Sequence, residues 1–245
     1  MEQDHVLGRN QPLRDAGLLL AAHGERAAGA DNRGVESLAR ALRARGVAAE
    51  VRCGFIKGTP TLAEAVREFA AARILVLPLF LADGYFSRVR LPQLLDPAET
   101  GRSVEILPPI GLHPALASLV ARKADAACAA AGTDPARTTL VLVAHGSTRD
   151  DASRRATEAL AARIAAQGRF AEVRSAFLEE PPDPAGLLAA ARGPVAVVGL
   201  FIGEGLHGRE DVGRLVAGAG RADVVTVGNL GAWPDFVDAV ARAVA

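Results

Sequence analysis

Two histidines of the 245-residue chain share one local setting. The stretches "LLLAAHGER" (18–26) and "LVLVAHGSTRD" (140–150) each end an apolar run in His-Gly, at His23 and His145. Both residues therefore follow what reads as a buried strand. A neutral imidazole there can bind a divalent metal or accept a proton near neutral pH. For one such histidine taken alone, a loop residue bonded to nearby backbone is the commoner role. What matters is whether other ligand-type side chains reach the same edge. In the C-terminal part they do: "VRSAFLEE" ends in Glu179 and Glu180, and "VAVVGLFIGEG" is followed by Leu206 and His207. Three consecutive strand ends thus present His145, Glu179 and His207. Two imidazoles and a carboxylate suit Co²⁺, Fe²⁺, Ni²⁺ or Zn²⁺ with coordination positions left open.

The elements that must carry these residues repeat. His23 and His145 lie 122 residues apart, and "AEVRCGFIKGTP" (49–60) matches "AEVRSAFLEEPP" (171–182) at the same offset. "LPLFLADGYFSRVRLP" (77–92) matches "VGLFIGEGLHGREDVG" (198–213) at 121, and "IGLHP" (110–114) matches "LGAWP" (230–234) at 120. Collinear matches with a slow drift describe a duplicated domain, not a short-period solenoid. The halves are read as 1–132 and 133–245, joined within "AAAGTDPART" (129–138). Within each, apolar runs such as "GLLLAA" and "RILVLPLFL" alternate with helical patterns such as "GVESLARALRARG", which stops at a glycine. A second helix is read in "TPTLAEAVREFAAA", starting near Thr59 or Thr61. Strands apolar on both faces and alternating with helices predict two tandem, doubly wound α/β domains with parallel sheets. Ligands of such sheets sit at the carboxyl ends of the strands, where both histidines fall.

At the same offsets the first half offers His23, Lys57 and Phe86 where the second has His145, Glu179 and His207. A cation and a phenyl ring cannot ligate a metal, so the metal-handling site is assigned to the second half. His113, whose counterpart is Trp233, is read as structural.

Composition narrows the class. Lys+Arg and Asp+Glu balance at 28 each, giving no global field for nucleic acid. The polar N-terminus has no signal-like apolar region, and no apolar run approaches the roughly 18 residues that span a bilayer. Two cysteines, Cys53 and Cys128, have no metal-ligand spacing and fit a reducing compartment. The expectation is a cytoplasmic protein with no nucleic-acid or membrane partner, a monomer or homodimer.

Taken in order, His145-Gly146-Ser147, Phe177-Leu178-Glu179 and Gly205-Leu206-His207 with Asp211 resemble the class II chelatases of tetrapyrrole biosynthesis, in particular the CbiX-type sirohydrochlorin chelatases. The resemblance covers nearly the whole chain and includes the duplication. It implies two α/β domains facing a cleft that holds the tetrapyrrole, with metal entering from the histidine side. It further implies that His145 and His207 bind metal or take pyrrole protons and that Glu179 completes the site. Glu180, being adjacent, is expected to soften the loss of Glu179. Some relatives carry the working set in the first half and others in the second, so Lys57 and Phe86 locate the site without opposing the resemblance. No permanently bound cofactor is implied; the divalent metal is a substrate.

Inserting M²⁺ into a free-base macrocycle releases two pyrrole protons, which suits a neutral imidazole. A polycarboxylate substrate calls for cations, and the candidates are Arg149, Arg154, Arg155 and Arg209 with Arg88 and Arg90 of the first half. Ser147 and its neighbouring amides are candidates for a substrate carboxylate. Phe86 is a candidate apolar surface for the macrocycle, Lys57 a cation for its edge, and His23 part of the opposite wall. The leading expectation is Co²⁺ insertion into sirohydrochlorin for cobalamin; Fe²⁺ insertion for sirohaem is the alternative, and Ni²⁺ is a further candidate metal. A non-catalytic metal or tetrapyrrole carrier would use the same ligands.

Overall fold

The structure, a computed structural model, describes residues 13–24, 32–148, 150–202 and 206–245; the side chains of residues 14 and 206–211 are outside that description. The repeats form two four-stranded parallel sheets. In the first, β1 (Leu13–Ala22), β2 (Ala48–Phe55), β3 (Arg73–Pro78) and β4 (Glu105–Ile106) are ordered β2-β1-β3-β4. In the second, β5 (Thr139–Ala144), β6 (Glu172–Phe177), β7 (Val195–Gly199) and β8 (Val224–Asn229) are ordered β6-β5-β7-β8. The first set of helices is α1 (Arg33–Ala44), α2 (Leu62–Arg67), α3 (Leu91–Leu94), α4 (Pro97–Thr100) and α5 (Pro114–Ala130). The second is α6 (Ala152–Ala165), α7 (Pro184–Ala190), α8 (Leu206–Gly218) and α9 (Phe236–Ala243).

The central strands are apolar on both faces because both faces are covered. Leu18, Leu19 and Leu20 of β1 are fully buried, as are Leu140, Leu142 and Val143 of β5. Val35, Ala39 and Leu42 recur on one side of α1 and are buried. That helix stops at Gly46 (φ 63°), with the Gly46 amide donating to Arg43 O and the Val47 amide to Leu42 O. α2 begins at Thr61, not Thr59: Thr61 Oγ1 accepts from the Glu64 amide, and Glu64 Oε2 accepts from the Thr61 amide.

The repeat is exact enough to share backbone bonds beyond the strand ends. The Ile56 amide donates to Ala22 O (3.0 Å) as Leu178 does to Ala144 O (3.1 Å). Lys57 donates to His23 O (2.7 Å) as Glu179 does to His145 O (3.0 Å), and Leu79 to Ala21 O as Leu200 to Val143 O (2.8 Å each). His23 and His145 therefore occupy equivalent strand ends.

The halves are packed together. α5 lies across β7 and β8 and against α6 and α9. One apolar cluster runs from Leu18, Leu20, Leu75 and Leu77 through Leu116, Leu119 and Val120 to Leu140, Leu142 and Val198. Lys123 and Asp125 of α5 pair with Asp235 and Arg169 (2.9 Å each), and Arg163 Nη1 donates to Leu112 O (2.9 Å). Sequence reading missed the π-helical turn Phe86–Arg90 that opens α3. Among the described residues no helix is long and apolar enough to cross a membrane.

His113 is structural, as its repeat partner suggested: its Nδ1 accepts from the Ala115 amide (3.3 Å) and caps α5. Burial lowers its pKa, and the nearby Arg163 guanidinium lowers it further. Only the neutral ring can accept that bond, and a cation there opposes the helix dipole. Unfolded chains bind the His113 proton near pH 6.5 while the folded protein resists it, so stability rises with pH through this window and is lost as pH falls below it. His113→Asn keeps a neutral cap acceptor. Its urea midpoint is expected to fall less than the wild type's between pH 7 and 5.5; equal falls would remove His113 from the account.

Candidate functional site

In the second sheet the chain steps from β5 out to β6 and then back across β5 to β7, so the strand order reverses between β5 and β7, and the carboxyl ends at such a switch point are where these sheets bind ligands. His145 stands at that point. Gly146 (φ 79°) turns the chain away behind it. The backbone bond from Glu179 to His145 O brings the two side chains together, with Nδ1 and Oε1 3.6 Å apart and both about half exposed. That is long for a direct hydrogen bond. It matches the donor spacing at one tetrahedral ion, since bonds of about 2.0–2.2 Å place two ligands ~3.3–3.6 Å apart. The His145 ring meets Phe201 edge-on, with centroids 6.0 Å apart. Position 207 falls in the first turn of α8, after β7. The side chains of His207, Arg209 and Asp211, and all of Arg149, lie outside the described residues. Among the described residues His145 and Glu179 form a pair, and no group of three or more His, Cys, Asp or Glu is placed to hold a metal.

The adjacent glutamates have different work. The Glu180 side chain is only 13% exposed. Its Oε1 accepts from the Ser147 amide (3.1 Å) and its Oε2 from Arg154 Nη2 (2.5 Å). Arg154 also donates to Pro181 O (2.6 Å) and covers the Phe177 ring at 5.0 Å. Glu180 is thus held away from the role of stand-in for Glu179. The Ser147 amide, considered for a substrate carboxylate, already has one from the protein. Arg155 pairs with Asp151 (2.6 Å). Two adjacent loop carboxylates look alike in a sequence, and nothing in their order distinguishes them.

In the first half His23 meets Phe86 edge-on at 4.7 Å, and Phe86 is flanked by Tyr85 (5.5 Å) and Phe80 (6.4 Å). Tyr85, Phe86 and Val89, all at the π turn, are exposed large hydrophobic side chains (55, 40 and 41%). Lys57 is exposed, with its amide bound to His23 O. Arg88 pairs with Asp83 (2.8 Å), and Arg90 lies 3.5 Å from Gln93 Oε1. A Cβ built on Gly84 would lie 3.3 Å from Cβ of Ala152, so the strand-end edges of the halves adjoin here. Phe201 and Tyr85 were missed from the sequence. The 121-residue offset between Phe80 and Phe201 was the available signal for the first.

A family model, CbiX, matches residues 17–127 and again 139–245. The chain belongs to the CbiX family. The two matches are the two halves that share the His-Gly strand ends. This CbiX-family chain is 24% identical over 220 residues to a Halobacterium salinarum protein described as a probable sirohydrochlorin cobaltochelatase, covering 80% of this chain and 74% of that one. It is also similar to a solved CbiX, the terminal enzyme for sirohaem biosynthesis in denitrifying bacteria: 27% identity, TM-score 0.77, 93% of this chain and 97% of that one. SirB from Bacillus subtilis with Fe³⁺ shares the fold at 18% identity, with a TM-score of 0.78 over 94% of each chain.

Proposed function

We propose that this chain is a sirohydrochlorin chelatase that inserts a divalent metal, cobalt before iron, at the carboxyl edge of its second sheet. The observation that carries the reading is the His145–Glu179 pair, set at chelating distance at the switch point of a CbiX-family fold. His207, entering from α8, would be the third ligand. A half-exposed pair holds a metal loosely enough to release it, unlike a closed structural site. During insertion two pyrrole N–H bonds break and metal–nitrogen bonds form. One proton passes to a neutral imidazole of the site and onward to water, and the second follows the same route.

The opposite wall would take the macrocycle. Phe86, with Tyr85 and Val89, offers an apolar surface beside His23; Lys57, Arg88, Arg149 and Arg209 would meet carboxylates at the ring's edge, with Ser147 alongside. Phe86→Ala is expected to raise KM for the tetrapyrrole roughly 3–10-fold, the weight of one lost aromatic contact, while Co²⁺ binding is unchanged. A KM equal to wild type would remove Phe86 from the wall. The free thiols of Cys53 and Cys128 suit a cytoplasmic setting.

Purified protein mixed with sirohydrochlorin and Co²⁺, Fe²⁺ or Ni²⁺ in turn, followed by absorption, tests the reading. Multiple turnovers, fastest with Co²⁺, are expected. Relatives divide between cobalt and sirohaem, so faster turnover with Fe²⁺ would reassign the metal. Stoichiometric binding without faster insertion would make the protein a carrier.

A further inference from the structure

We propose that Glu180 and Arg154 are positioning residues that fix the spacing between His145 and Glu179, and so set the metal affinity of the chelatase site; this rests on the function proposed above. The segments after β5 and β6 run side by side, joined by the Leu178 amide to Ala144 O (3.1 Å) and the Glu179 amide to His145 O (3.0 Å). The next rung is made by a side chain: Glu180 Oε1 accepts from the Ser147 amide (3.1 Å). This carries the ladder one step past the two metal-site residues and ties the far side of the His-Gly turn to the Glu179 segment. Arg154, in the first turn of α6, holds the other carboxylate oxygen and also Pro181 O. His145 and Glu179 are therefore braced both before and after the point where their side chains leave the backbone to meet.

The first half supplies a comparison within the same molecule. It keeps the backbone rung from Lys57 to His23 O (2.7 Å). At the 122-residue offset, however, Glu180 and Arg154 are replaced by Gly58 and Asn32. Gly58 has no side chain to make the carboxylate rung, so that rung accompanies the half that has the His–Glu pair. A brace needed only for folding the strand ends would be required equally in both halves, since both make the same turn with a positive-φ glycine, Gly24 and Gly146. The half-buried carboxylate and its arginine serve something the second half alone does, and a fixed ligand spacing is what its chemistry needs.

Titration of the full-length protein with Co²⁺ alone, by calorimetry and by the cobalt absorption spectrum, tests this. Glu180→Ala and Arg154→Met are each expected to weaken Co²⁺ binding roughly 10–100-fold, as for other residues that orient metal ligands. KM for sirohydrochlorin should stay near the wild-type value. Glu180→Gln keeps an acceptor for the Ser147 amide and should recover most of the affinity, and Arg154→Lys part of it. Wild-type affinity in folded Glu180→Ala and Arg154→Met would overturn the proposal. So would a loss that Glu180→Gln does not relieve, or one matched by an equal rise in KM. His145→Ala is run beside them. If it too binds Co²⁺ like wild type, the chelatase site itself is misplaced, a failure distinct from that of the brace.

Discussion

His145→Ala is expected to lower the steady-state rate of metal insertion by roughly 10²–10⁴-fold, the range for loss of a general base or a ligand acting as one. His207→Ala should fall in the same range. Glu179→Ala should be nearly as damaging, more so than the sequence suggested. Glu180 is tied to the Ser147 amide and Arg154 and is not free to replace it. His23→Ala should cost much less, because His23 faces Phe86 and is followed across the strand end by Lys57, not by a carboxylate. Insertion rates for the four variants, each checked for an intact fold by circular dichroism, decide the matter. A His23→Ala loss as deep as that of His145→Ala would place the chemistry in both halves.

Gly24→Ala and Gly146→Ala are expected to fail in different ways. Both glycines hold positive φ, 70° and 79°, where an alanine is strained by about 1–2 kcal/mol. At Gly24 a Cβ would come within 1.9 Å of Lys57 O, a backbone atom of the residue whose amide is bound into the strand-end ladder. Adding about 1–3 kcal/mol for overpacking gives a destabilisation of roughly 2–5 kcal/mol. At Gly146 the Cβ would come within 2.9 Å of Glu180 Cγ and 3.0 Å of Phe177 Cβ. There the nearest atoms belong to side chains and not to the backbone, so the stability loss should be the smaller of the two, while the displaced Glu180 gives up its bonds and Co²⁺ affinity falls. Urea unfolding and Co²⁺ titration of both variants give the comparison. Equal stability losses with unchanged Co²⁺ affinity would contradict it.

The fold was legible because its signals are local. Runs such as Leu18–Leu20 are apolar without alternation, and only a strand covered on both faces calls for that. The repeat then doubled every observation and placed His23 and His145 at matching strand ends. The His145–Glu179 pair was legible for the same reason: strand order converts sequence position into position along the rim. What was not legible depends on side-chain direction or on distant packing. Glu179 and Glu180 differ only in which way they point. The π turn at Phe86–Arg90 has no periodicity of its own to show in five residues. The burial of Leu116, Leu119 and Val120 was readable from α5, but not that the helix lies on β7 and β8.

That placement of α5 separates two units that are easily equated. The unit of repetition is a half-chain of four strands, each able to trace its own sheet. The unit of stability is larger, because the second sheet is roofed by a helix that the chain makes before reaching the second sheet's first strand. Neither half can be lifted out with its apolar face intact, since excision would uncover the face of β7 and β8 that α5 lies on and leave α5 without the sheet it covers. The cleft walls therefore inherit their mutual orientation from a shared core and not from a hinge, and the two substrates would be presented to one another by a rigid frame.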